Sequence, residues 1–99
     1  MKIMRKANQI NVISEIGPVL RKHNIKRASL FGSFARGDGD FDSDVDILVE
    51  FPEGSDLFDL VDLKTELTEI LGRDVDIVTF DSLNPYRKEY ILKDQISIL

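Results

Sequence analysis

Two short runs of branched apolar residues, each interrupted by aspartate, constrain this chain more than any other feature: Asp44-Val-Asp-Ile-Leu-Val-Glu-Phe51 and Asp74-Val-Asp-Ile-Val-Thr-Phe80. Valine and isoleucine favour strands because a branched Cβ packs well on a pleated surface. Between the runs, Leu57, Leu60, Val61, Leu63, Leu67, Ile70 and Leu71 recur at helical spacing, with Ser55 as the expected N-cap and Gly72 as the stop signal. A strand, a crossover helix and a strand in that order predict a parallel pair.

The flanking segments complete the architecture. Ile10, Ile13, Ile16, Val19 and Leu20 predict an amphipathic helix over 7–24, with a kink or boundary at Gly17-Pro18, since an interior proline costs about 3 kcal/mol or more. Residues 25–31 read as a strand, and its short link to the next strand favours an antiparallel pair. After Asn84-Pro85 a helical pattern resumes over 86–99, with Tyr90, Ile91 and Ile98 turned inward and Tyr86 also packing. The expected fold is α/β (α+β): a small mixed three-stranded sheet with helices, in the order α-β-β-α-β-α. Residues 1–99 are expected to form one domain, because 99 residues, 42% of them hydrophobic, supply one core and not two.

Composition narrows the chemistry. No apolar run approaches the roughly 18 residues needed to span a bilayer, and the first residues lack a secretory pattern, so a cytoplasmic protein without membrane contact is expected. There is no cysteine and one histidine, so any metal must be held by oxygen. A net charge of -5 argues against direct nucleic-acid binding through many neutralised phosphates. The acidic residues are also concentrated, with Asp38 through Glu53 free of any cation. Such a block is ordinarily a solvated loop, and only its spacing gives it more meaning.

Asp44 and Asp46 are two apart in a predicted strand, so their carboxylates leave one face while Val45, Ile47 and Val49 enter the other. Like charges so placed call for a compensating hard cation. Asp76 interrupts an apolar run in the second strand, and a buried carboxylate without a partner is costly, so the residue asks for a reason. If the two strands are neighbours, Asp76 faces the other two. Asp74 competes for that role, although its place beside Gly72-Arg73 suits a turn equally well. Directly after the first strand, Gly32-Ser33-Phe34-Ala35-Arg36-Gly37 offers glycines that let backbone N–H groups approach an anion, with the Ser33 hydroxyl and Arg36 as further donors. A plain glycine-rich turn is the competing reading. His23 suits a helix C-terminal cap better than a catalytic base.

Gly32-Ser33, ten intervening residues and Asp44-Val45-Asp46 look like the G-S-x10-D-x-D signature of the DNA polymerase β-like nucleotidyltransferase superfamily. Within it the whole chain resembles the minimal nucleotidyltransferases, MNT or MntA, that are encoded beside HEPN-domain toxins. Arg36-Gly37, Ser43 and the later Asp76 belong to the match. The resemblance implies transfer of AMP from ATP, with Asp44, Asp46 and Asp76 as catalytic residues holding Mg2+, expected as two ions, and with Gly32, Ser33, Arg36, Gly37 and Ser43 around the nucleotide phosphates. It further implies an antitoxin whose acceptor is a tyrosine hydroxyl on a HEPN-type toxin. Arg21, Lys22, Arg87 and Lys88 on the first and last helices are candidate docking residues, with plain solvated charge as the favoured reading of any one of them. Two other readings stand beside it: transfer to a small-molecule hydroxyl, and neutralisation of the partner by binding alone.

Overall fold

The computed structural model describes residues 2–32, 35, 44–93 and 95–99, with the side chains of 2–10, 87 and 90–92 left aside. Helix α1 (Lys2–Lys22) leads into β1 (Arg27–Phe31); β2 (Val45–Glu50) follows, then α2 (Leu57–Leu71) and β3 (Val75–Thr79). A 3-10 turn at Phe80–Ser82, helix α3 (Pro85–Lys93) and a two-residue strand β4 (Ile96–Ser97) complete the order.

The sheet runs β3-β2-β1-β4. Strands β2 and β3 are parallel, as a crossover helix requires, while β1 is antiparallel to both β2 and β4. The expected three strands thus become four. The helical reading of 86–99 fails at its end, where Ile96 pairs with Leu30 and Ser97 with Ser29. Ile98 and Leu99 donate their N–H groups to the Ala28 carbonyl at 2.8 and 3.2 Å. The β1 edge would otherwise leave its backbone groups without sheet partners, and three apolar residues, Ile96, Ile98 and Leu99, pack on the core as they cover it.

The core lies on one face of the sheet. Val12, Ile16, Val19 and Leu20 of α1 and Leu63 and Leu67 of α2 close over Ala28, Leu30, Val45, Ile47, Val49 and Val75. A smaller cluster on the other face joins Phe31 and Leu48 to Val78, Phe80 and Leu83. Strand β2 is therefore apolar on both faces at its middle, as befits the interior of a sheet.

Local signals explain where the helices start and stop. Helix α1 runs through Gly17-Pro18 as a single element. Proline removes the bond to the Ser14 carbonyl, and Ser14 and Pro18 are both exposed, so water can satisfy that group. Asn24, at φ 59°, ends the helix in the left-handed conformation, with its N–H on Arg21 O at 3.0 Å and that of Ile25 on Leu20 O at 3.0 Å. This is the Schellman arrangement, sealed by the buried Ile25 and Leu20. The cap belongs to Asn24, and His23 has another use: its Nε2 stands 3.0 Å from Glu66 Oε1 on α2, beside Lys22 Nζ at 3.1 Å. The His23 ring first, and Lys22 second, hold the Glu66 carboxyl below its ordinary value. For α2 the N-cap is Asp56 and not Ser55. Asp56 accepts from the Asp59 N–H and donates its own N–H back to the Asp59 carboxylate, while Ser55 turns to Pro52 O at 2.7 Å. Gly72, at φ 66°, closes the helix as expected.

Candidate active site

Parallel pairing places Asp46 directly beside Asp76. Register partners in neighbouring strands project from the same face, so these two carboxylates leave the sheet together, opposite the helix-covered core. Asp44 stands exposed just before β2. Asp74 stands exposed just before β3, and its carbonyl accepts the Val45 N–H at 3.0 Å, extending the ladder one step. Four aspartates therefore surround the starting ends of two parallel strands. Among the described residues no three of His, Cys, Asp or Glu stand close enough to hold a metal ion by themselves.

Asp76 is exposed, which removes one premise of the sequence reading. The carboxylate is not buried among Val75, Ile77 and Val78; alternation sends it to the open face. Desolvation thus gives no reason for its presence, and its pairing with Asp46 is the informative observation.

Gly32 follows β1 at the same end of the sheet, with φ +74°, a conformation that L side chains rarely adopt. A Cβ built there would collide with the Asp46 carboxylate oxygen Oδ2. The chain leaving β1 thus passes against the Asp46 side chain at a distance that only glycine permits. Sequence spacing groups Gly32 with a phosphate-binding turn but does not foresee this contact, which depends on the pairing of Phe31 with Asp46. Ser33, Arg36, Gly37 and Ser43 lie outside the described residues.

Further along the same face, the Phe31–Leu48 cluster separates the aspartates from a hollow of about 520 Å³ whose lining includes Arg27, Ser29, Phe80, Lys88 and Ser97. The Arg27 guanidinium lies 4.1 Å from the centre of the Phe80 ring and bonds Glu50 Oε1 at 2.8 Å through Nε. Cation–π contact and ion pair together fix the 3-10 turn over the sheet. Neither residue stands out in the sequence as part of a site. Tyr86, expected to pack, is 89% exposed, and the side chain of Tyr90 lies outside the description.

The mixed sheet β3-β2-β1-β4 with its two covering helices has the fold of the minimal nucleotidyltransferases. The profile of the nucleotidyltransferase domain family matches residues 13–98, and the chain belongs to that family. Among its relatives, a protein of Methanocaldococcus jannaschii provisionally named a protein adenylyltransferase is 52% identical over 85 residues, covering 86% of this chain and 91% of the relative. A solved structure provisionally described as a minimal nucleotidyltransferase superposes with TM-score 0.73 at 38% identity, over 96% of this chain and 93% of the other. A second, of a toxin-antitoxin with AMP-PNP, gives TM-score 0.76 at 25% identity over 88% and 72%.

Proposed function

We propose that this chain transfers AMP from ATP to a hydroxyl, expected on a tyrosine, of a HEPN-domain toxin and so acts as its antitoxin. The observation that carries the reading is the register pairing of Asp46 with Asp76 on the open sheet face. The similar toxin-antitoxin structure with AMP-PNP and the adenylyltransferase name of the 52%-identical relative support the nucleotide and the reaction class.

The donor set fits a hard divalent cation. Mg2+ is usually held by one or two carboxylates plus substrate phosphates, so a closed cage of protein ligands is not needed. Asp46 and Asp76 would supply that pair, with Asp44 adjoining, and Gly32 passes against Asp46 at the same end of the sheet. When bound, Mg2+ neutralises the triphosphate and stabilises the departing pyrophosphate. The acceptor oxygen forms its bond to the α-phosphorus as the bond from that phosphorus to the bridging oxygen of pyrophosphate breaks. Asp76, exposed beside Asp46, is the carboxylate assigned to take the hydroxyl proton.

The test uses ATP labelled at the α-phosphate, Mg2+ and the purified HEPN-domain protein. Label on that protein, absent when the γ-phosphate carries it instead, is the expected result. Asp46→Asn and Asp76→Asn should each abolish transfer. Neutralisation of the toxin that persists in both variants, without label, would replace catalysis by simple binding.

A further inference from the structure

Helix α2 holds large apolar side chains in water along its first turns. Phe58 is 78% exposed, Leu57 70% and Val61 52%. Single exposed apolar residues are ordinary, whereas a cluster marks a surface made for contact. These three lie within one turn of each other, and Leu57 also borders a hollow of about 770 Å³ between the start of α2 and the ends of β2 and β3. Folding does not require them there: the core takes Leu63 and Leu67, and the cap uses Asp56 and Asp59.

The charge around the patch selects its occupant. Of the carboxylates lining the hollow, Glu50 is paired with Arg27, while Glu53, Asp56 and Asp81 stand against Lys26; on the helix the exposed Asp62 is offset by Lys64, so the surroundings remain acidic on balance. A second copy docking patch to patch would set like charges face to face, which disfavours self-association. A surface bearing an apolar side chain within a ring of lysine and arginine complements both features.

We propose that the N-terminal half of α2 is the docking surface for a partner protein of that kind; the proposal rests on the reading that the acceptor is carried by a protein. The site is separate from the reaction centre. Five residue steps of extended chain separate Asp46 from Phe51 at the edge of the hollow, roughly 17 Å. Docking here holds the partner while its acceptor group reaches the other end of the sheet. The first and last helices, with Arg21, Lys22 and Lys88, have no comparable apolar cluster among the described residues.

The experiment measures binding of the purified HEPN-domain protein to the full chain by titration calorimetry, alongside the transfer assay. Phe58→Asp and Val61→Asp are expected to weaken binding about tenfold or more and to raise the partner concentration for half-maximal transfer equally. ATP affinity, transfer at saturating partner and the circular dichroism spectrum should not change. Glu53→Lys combined with Asp62→Lys should weaken binding and flatten its salt dependence. Unchanged binding in all these variants overturns the proposal, as does an unmodified chain that binds no HEPN-domain protein. A dimer in sedimentation that Phe58→Asp turns into monomer also overturns it, in favour of a second copy. If patch-dependent binding is found without AMP transfer, the docking surface stands and the catalytic reading falls.

Discussion

The two faces of β2 obey different rules. Val45, Ile47 and Val49 enter a dry aliphatic core between the sheet and two helices, whereas Asp46, Leu48 and Glu50 face the other way. The first face is determined by packing alone, and any shape-matched apolar set would serve it. The second carries a fully buried leucine between two carboxylates, one beside Asp76 and one paired with Arg27. Stability is concentrated on the covered face and charge on the open one.

Substitutions can break that division. Leu63→Ala or Ile47→Ala, both at fully buried positions, should cost about 2–5 kcal/mol in denaturant unfolding, because a cavity remains where the side chain packed. Gly32→Ala should come next, at about 1–3 kcal/mol, because it meets both a left-handed backbone and the Asp46 carboxylate. Its activity loss should exceed what the stability change explains. Asp56→Ala removes a capping box and should cost about 1 kcal/mol. Asp46→Asn and Asp76→Asn should both stay folded, and Asp76→Asn, at an exposed position beside a like charge, should be neutral or stabilise by up to about 1 kcal/mol. Unfolding of either variant would make the pair structural.

The link between α1 and α2 gives a pH signature on the covered side. Glu66 titrates below its unfolded value, so its contribution is fully present above the ordinary glutamate range and is lost as pH falls through the lowered folded value. Melting temperature should therefore drop on acidification through that window, and Glu66→Gln should reduce the drop. Equal slopes in the two proteins would remove the His23–Glu66 contact from the account.

Much of this arrangement is legible in the sequence, and the exceptions have physical causes. The period-2 run at Asp44–Phe51, the helical run ending at Gly72 and the connection between parallel strands follow from residue type and order, and they place Asp46 beside Asp76. The fourth strand does not follow, because Ile96–Ser97 is too short to carry a period and forms only because β1 has an edge to cover. Reading Asp76 as buried mistakes the composition of its neighbours for its own environment, since strand alternation sends adjacent residues to opposite sides. Ser55 and Asp56 are both good caps, and only the backbone decides between them. Contacts such as His23 with Glu66, 43 residues apart, and Arg27 with Phe80 depend on tertiary placement that no local pattern encodes.

In the proposed reaction Asp46 and Asp76 together receive a metal-bound triphosphate at the open end of the sheet. The deciding measurement is calorimetric titration of the protein with an ATP analogue that cannot be cleaved at the α-phosphorus, with and without Mg2+. Binding should need Mg2+ and disappear in Asp46→Asn and in Asp76→Asn while both variants stay folded. Binding of equal strength in the unmodified protein and both variants would contradict it.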